Sequence, residues 1–243
     1  MRAAGGNKVI YRALGERPIA ARFSGERIAY IGHDTDGLLY HFTGRDNVNT
    51  GLHDPMSPSW IDIEGGAVGE LQRASWQRNG VLFAQASSKV VYTGASVLSA
   101  YTIINTFTVG ILTGQHPRLN AELPTPTMYL HSGQGYCIAA YSQGKDTWFL
   151  PKFTPTAGQT VTAAMRWNGP GAIELFINGE KHGEITGVTA APTAAATKYL
   201  GGRADNTRAL SGTIHEHLMY TRALTDDGIR RAFEVSAALY GIS

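Results

Sequence analysis

Val161-Thr162-Ala163-Ala164-Met165-Arg166-Trp167, Asn168-Gly169-Pro170-Gly171, Ile173-Glu174-Leu175-Phe176-Ile177 and Asn178-Gly179 follow one another with a single residue skipped. In the third segment Ile173, Leu175 and Ile177 alternate onto one face, the period of a half-buried antiparallel strand. Asn178-Gly179 supplies two residues that tolerate positive φ, as a type I′ hairpin turn requires. The stretch therefore reads as strand, turn, strand and tight hairpin.

The rest of the chain carries the same signature. Gly accounts for 29 of 243 residues and charged residues for 16%, against roughly 7% and 25% in an average domain. A chain so rich in small residues and turn formers predicts short strands, not a helical bundle or a coiled coil, and 43% hydrophobic content excludes disorder. Strands are predicted at Leu38 to Phe42, Ser59 to Ile63, Val81 to Ala84, Val90 to Tyr92 and Thr102 to Leu112. Others follow at Thr127 to His131, Tyr136 to Tyr141, Thr147 to Leu150, Lys198 to Leu200 and Thr213 to Tyr220. Pro117, Pro124 and Pro126 bracket a polar loop, His116 to Thr125. Thr225 is a good N-cap, and Asp226 with Asp227 complements the positive end of a helix dipole. Ile229, Phe233 and Ala237 recur at helical spacing until Tyr240-Gly241. Many antiparallel strands and one late helix predict an all-β antiparallel sandwich.

Residues 1 to 36 read separately. Lys8 to Tyr11, Ile19 to Phe23 and Arg27 to Ile31 are short apolar runs parted by Gly15-Glu16-Arg17-Pro18 and Ser24-Gly25-Glu26. They predict a small β-ribbon, too small to be stable alone. It must pack on the main domain, on a sister subunit or on a larger assembly. Met1 to Lys8 has no apolar core of signal-peptide length, and no stretch approaches the ~20 apolar residues of a membrane helix. The expectation is a soluble chain made in the cytoplasm, without membrane insertion. With 21 basic and 19 acidic residues in no block of either sign, no nucleic-acid footprint is visible. The single cysteine, Cys137, sits in the apolar run Tyr136-Cys137-Ile138, so a buried thiol is expected, and neither a disulfide framework nor a multi-thiolate zinc site.

A family resemblance rests on an ordered series of motifs. Trp167…Ile173-Glu174-Leu175-Phe176-Ile177-Asn178-Gly179 is followed by Tyr199-Leu200-Gly201-Gly202 and Leu210-Ser211-Gly212-Thr213-Ile214-His215-Glu216. Tyr220-Thr221-Arg222-Ala223-Leu224-Thr225 and Ala238-Leu239-Tyr240-Gly241-Ile242 close it. The series resembles the C-terminal half of the concanavalin A-like, laminin-G-type jelly roll. Upstream, Asn49-Thr50-Gly51-Leu52-His53-Asp54…Trp60-Ile61-Asp62-Ile63…Gly69…Trp76…Val81-Leu82-Phe83 is similar to the opening of such domains in bacteriophage structural proteins, so the resemblance covers 37 to 243. The run 8 to 31 is similar to the hairpin repeats that precede such domains in phage virion proteins. The resemblance implies a virion structural or decoration protein, on head or tail, made in the host cytoplasm. It also implies homo-oligomers, other virion proteins as partners and adhesion to a cell-surface glycan. A bacterial carbohydrate-binding module or adhesin, a laminarinase-type glycoside hydrolase and a subunit that only builds oligomers are the alternatives.

Hydrolases of that type carry an E-x-D-x-E strand, which sets three carboxylates on one face. Here the string is Trp60-Ile61-Asp62-Ile63-Glu64, with an indole where the nucleophile belongs. Asp62 and Glu64 are read as a strand end. No G-x-S-x-G elbow, phosphate loop or dinucleotide fingerprint is present, and no enzymatic activity is expected. His215 and His217 form His-x-His on a predicted strand, which puts both rings on one face at a spacing for zinc or another transition metal, although a pair of surface or subunit-interface imidazoles is the favoured reading. His131 or His182 would supply a third ligand. Glu216 then faces the other way with Ile214 and Leu218 and needs a partner such as a buried hydrogen bond or Arg222. Asp205-Asn206 and Asp34-x-Asp36 offer hard oxygens that suit calcium, but neither has the ligand count of a dedicated cage, so no cofactor, calcium included, is expected. Trp148, Tyr141, Trp76 and Tyr101 are candidates for stacking on a sugar, beside the plainer reading as core aromatics.

Overall fold

The computed structural model describes residues 9–14, 17–24, 27–45, 58–64, 67–94, 99–111, 117–121, 127–131, 137–141, 153–188 and 197–242. At 9–31, 121, 131 and 137–141 the description is of the backbone. The chain divides into two compact units, Met1–Thr35 and Asp36–Ser243. The first is a three-stranded antiparallel sheet of β1 (Val9–Leu14), β2 (Arg17–Ser24) and β3 (Arg27–Ile31). Leu14 pairs with Arg17 and Ser24 with Arg27.

The second unit is a sandwich of two antiparallel sheets. Its strands, in chain order, begin with β4 (Leu38–Thr43), β5 (Ser59–Ile61), β6 (Val68–Gln72), β7 (Ser75–Gln77) and β8 (Gly80–Phe83). Next come β9 (Lys89–Thr93), β10 (Tyr101–Val109), β11 (Arg118–Ala121), β12 (Thr127–His131) and β13 (Cys137–Tyr141). The last are β14 (Thr160–Trp167), β15 (Gly171–Ile177), β16 (Glu180–Val188), β17 (Thr197–Leu200) and β18 (Gly212–Tyr220), before α1 (Asp226–Tyr240). One sheet runs β16-β15-β14-β10-β18-β8-β7, with β4 also paired to β18; the other runs β13-β12-β11-β17-β9-β6-β5. The predicted hairpin is present as read: Ile177 pairs with Glu180 across Asn178 (φ 49°) and Gly179 (φ 83°).

Four strands escape a reading by period. β6 buries only Gly69, β7 buries none of its three residues, and β16 buries only Ile185 and Val188. β11 lies inside the segment read as a polar loop. Leu119 enters the core there, and polar Asn120 is buried because Asn105 of the opposite sheet donates to its side chain at 3.2 Å. Thr147 to Leu150, expected as a strand, lies outside the described residues.

The interior is one apolar cluster between the sheets, including Phe42, Trp60, Phe83, Tyr92, Ile103, Phe107, Trp167 and Met219. A second, smaller cluster forms on the outer face of the eight-stranded sheet. There Ile229 and Ala232 of α1 cover Leu38, Ile104, Ala164, Phe176 and Leu218. Fully burying each aliphatic side chain stabilises by about 1.5–3 kcal/mol, which holds the helix down. Thr225 Oγ1 accepts from Gly228 N at 3.1 Å, and Gly241 ends the helix at φ 69°. Among the described residues no helix is long and apolar enough to cross a membrane.

Candidate functional site

β18 carries the His-x-His motif but does not put both rings on one face. The β10–β18 pairing slips between Thr106 and Phe107, with Thr106 opposite Glu216 and Phe107 opposite Ile214, so His215 is the extra residue of a β-bulge. Alternation is reset there. His217 points between the sheets, where Nδ1 meets Asn105 Oδ1 at 2.8 Å and Nε2 meets the Tyr92 hydroxyl at 3.1 Å. His215 lies on the helix side. Its ring is 5.2 Å from that of Tyr240, Nε2 is 2.6 Å from Thr108 Oγ1 and Nδ1 is 2.5 Å from the Asn79 carbonyl. All four nitrogens are engaged and the rings diverge, so the pair is not a two-ligand metal set. His182 gives no third ligand: β15, β14 and β10 lie between its strand and β18. His131 belongs to the other sheet.

Burial keeps both imidazoles neutral. His217 is pushed down to about 3 by complete desolvation, helped by the charges of Lys198 and His41. His215 is also lowered by burial, against a hydrogen bond with Asn79 that raises it. Lys198 is itself fully buried between the sheets. Lys198, His217, Tyr92, Asn105 and Asn120 are thus polar residues of the interior.

The bulge also puts Glu216 on the helix side, and its partners are not Arg222. At 1% exposure, Glu216 Oε1 is 2.8 Å from His41 Nε2, and Oε2 accepts from Ser236 Oγ of α1 at 2.7 Å. The carboxylate ties helix to sheet. Arg222 pairs with Asp36 on the surface (Nε to Oδ2 3.2 Å), which commits that carboxylate of the Asp34-x-Asp36 pair. Asp62 is structural as well. It is 1% exposed, and Oδ1 accepts from His41 N at 2.7 Å and Glu64 N at 3.0 Å. Trp60 is a core residue whose Nε1 donates to the Thr43 carbonyl.

Of the candidate aromatics, Tyr101 is buried against Trp167 at 5.7 Å and Trp76 packs on Trp60 at 5.7 Å, so both serve the core. Tyr141 ends β13, where the backbone alone is described; Trp148 lies outside the described residues.

The concave chemistry lies elsewhere, at one end of the sandwich. A cavity of about 380 Å³ is lined by Phe83, Gln85, Ile111, Pro117, Arg208 and Leu210, among others. That volume is in the range of small-ligand sites. Its apolar wall includes Ile111, which is 68% exposed. Its other side is the loop after Gly201-Gly202. Gly201 has φ 70°, and a Cβ there would lie 2.2 Å from the Phe83 ring, so glycine alone lets the loop turn this close to β8. The loop then passes over β9: Lys89 Nζ donates to the Arg203 and Ala204 carbonyls at 3.4 and 3.2 Å. It returns along β11, where Arg118 N donates to the Arg208 carbonyl at 2.9 Å.

This path collects cations. Arg118 lies over the Tyr129 ring at 4.4 Å, and Lys89 over the Tyr199 ring at 5.4 Å. Arg118 is lowered to about 10, by burial first and then by the charges of Arg208 and Arg203. Asp205 is the carboxylate in their midst, and it is bound within the loop. Oδ1 accepts from Thr207 N at 3.1 Å and Thr207 Oγ1 at 2.6 Å, while Oδ2 is 3.6 Å from Arg203 Nη1. The Thr207 hydrogen bonds and the arginines hold its carboxyl below the usual range. Guanidiniums around the one acid of this loop repel a divalent cation, and both Asp205 oxygens are already held by Thr207 and Arg203. Asn206 is a turn residue at φ 59°. None of these cations was legible beforehand, since Lys89, Arg118, Arg203 and Arg208 come from three separate stretches.

The family follows from sequence and fold together. Residues 107–230, just over half of the chain, match the model of the concanavalin A-like lectin/glucanases superfamily. The chain belongs to that superfamily. No curated protein matches it. Among solved structures, Trypanosoma rangeli sialidase aligns with a TM-score of 0.67 at 15% identity, over 87% of this chain and 34% of that one. The same sialidase in complex with sialic acid aligns at 0.66 and 13% over 97% and 45%. The receptor-binding domain of botulinum neurotoxin C/D mosaic serotype aligns at 0.63 and 10%, over 82% and 51%. The chain therefore spans about a third to a half of these structures, and identities this low show a shared fold alone. They do correct the expectation of a chain without enzymatic activity. Sialidases are enzymes, so neither this fold nor a missing local motif supports denying catalysis.

Proposed function

We propose that this chain is a glycan-recognising jelly roll carried on a bacteriophage virion, with the cavity at the end of the sandwich as its ligand site. One observation carries the glycan reading: the cavity joins an apolar wall of Phe83, Ile111 and Leu210 to the cation Arg208. Saccharides present apolar ring faces and polar rims together, and such a two-sided pocket suits both. Superfamily membership supports the reading, as does the fold-level likeness to a receptor-binding domain. The virion placement rests on the resemblance of 8–31 and of 49–83 to stretches of phage structural proteins. In it the ribbon anchors the sandwich to other virion proteins, with copies assembled as a homo-oligomer.

The test is a glycan array probed with the full chain and with Ile111→Asp, which adds charge to the cavity wall at an exposed position. Dose-dependent binding to at least one glycan, lost in the variant, is expected. Binding to none, or binding untouched by the variant, overturns the assignment. Antibody labelling of purified particles of the encoding phage checks placement, and unlabelled particles refute it.

A further inference from the structure

Resting on that reading, we propose that Arg118, Arg203 and Arg208 form a subsite at the cavity edge for an anionic group of the ligand, a carboxylate or sulfate on a saccharide. The first support is unsatisfied donor capacity. Nε of Arg118 and Nε of Arg203 are both buried with no hydrogen-bond partner among the described residues. A buried, unmade hydrogen bond costs about 1–3 kcal/mol, more when the group is charged, and an oxyanion is the acceptor that matches the fork of a guanidinium.

Charge balance is the second support. Among the described residues, Arg118, Arg203 and Arg208 act on a single carboxylate, Asp205, whose two oxygens are already held by Thr207 and Arg203, while Lys89 Nζ donates to the Arg203 and Ala204 carbonyls beside it. Two arginines on the other sheet and the helix are each held between two carboxylates. Arg166 bonds Glu174 and Asp226 at 2.6 Å each, and Arg230 bonds Asp227 and Glu234 at 2.8 and 2.9 Å. A cluster left with excess positive charge in a chain of net charge +2 is poised for a partner of opposite sign.

Position is the third. Arg208 lines the cavity, so an anion on the arginines places the rest of the ligand against Phe83, Ile111 and Leu210. The ring of Tyr129 beneath Arg118 holds that guanidinium in place. Left-handed backbone at Asn206 (φ 59°) and Arg208 (φ 58°) brackets Thr207 and fixes the loop's turn.

Calorimetry with three probes tests the subsite: inorganic sulfate, a glucuronate-containing oligosaccharide and its neutral glucose counterpart, all at matched ionic strength. The acidic sugar is expected to bind about tenfold tighter than the neutral one, the worth of one charge-assisted contact. The margin should shrink as salt rises. Arg208→Gln, a loop change that removes no core contact, should abolish the preference; Arg118→Gln should do so too. Arg230→Gln, which removes the same charge from α1, should leave it intact. Equal affinity for the two sugars, or a preference that survives Arg208→Gln, overturns the subsite.

The two readings fail separately. If no sugar binds, but sulfate raises the melting temperature of the native chain about 2 °C more than that of Arg208→Gln, the anion subsite stands and the glycan function falls. If the neutral sugar binds and neither anionic probe gains from the arginines, the glycan function stands and the subsite falls.

Discussion

The two sheets share an interior and differ in what lies outside them. Outside the eight-stranded sheet, α1 closes an apolar cluster, and buried or half-buried charges there have partners: Glu216 is bonded by His41 and Ser236, and Arg166 pairs with Glu174 and Asp226. On the seven-stranded sheet, Lys89 and Arg118 lie over Tyr199 and Tyr129 and Arg208 lines a cavity, with one acid, Asp205, among these cations in the described residues. Satisfied charge is part of how a fold is held. Charge gathered without acceptors costs stability and is tolerated where a ligand completes it. The difference marks the arginine side, not the histidine strand, as the place to look for function.

Four measurements sharpen or break this contrast, in falling order of effect. Glu216→Ala strips His41 and Ser236 of a buried acceptor and should destabilise by about 3 kcal/mol in urea unfolding. A loss below about 1 kcal/mol would mean that the carboxylate does not tie helix to sheet. His217 supplies the next effect. Its folded-state value near 3 lies below the ordinary 6.5, so the unfolded chain takes up a proton that the folded chain refuses. Stability is therefore unaffected above about pH 7 and falls as pH drops from about 6.5 toward 3, by roughly 1 kcal/mol per pH unit. His217→Gln should flatten that slope, and an unchanged slope would show that the interior imidazole is not its source. Thr225→Ala removes the N-cap and should cost about 1 kcal/mol, seen as a lower urea midpoint. Arg208→Gln should change stability by less than about 0.5 kcal/mol, or raise it slightly, because it relieves repulsion on Arg118. A loss above 1 kcal/mol would show that the loop cations are structural after all.

Much of the scaffold was legible locally. Asn178-Gly179 needs positive φ wherever it sits in a hairpin, and Ile173, Leu175 and Ile177 can bury one face only if the segment is a strand. The helix announced itself through Thr225, its two aspartates and Gly241. Strands whose outward faces are polar on an edge, such as Glu180–Val188, carry too few apolar positions to show a period. Arg118–Ala121 was hidden for another reason: Asn120 is buried through a partner on the far sheet.

The site was legible far less, and the histidines show why. His215 and His217 are two apart, and a regular strand puts such residues on one face. One bulge, set by how β10 pairs with β18, separates them. Nothing at 215–217 encodes that slip, because register belongs to the pair of strands and not to either alone.

The chain's own order of residues determined the class: antiparallel strands, tight turns, a terminal helix and membership of a lectin-like superfamily. These depend on backbone preferences and apolar period, which act over a few neighbouring residues. Tertiary structure alone decided that burial keeps His217 neutral inside, that Glu216 of β18 faces the helix and bonds Ser236, and that Arg118 and Arg203 come near Arg208, which lines the cavity. Such facts depend on distances through space between segments far apart in the chain, and Coulomb and desolvation energies follow those distances, not sequence separation.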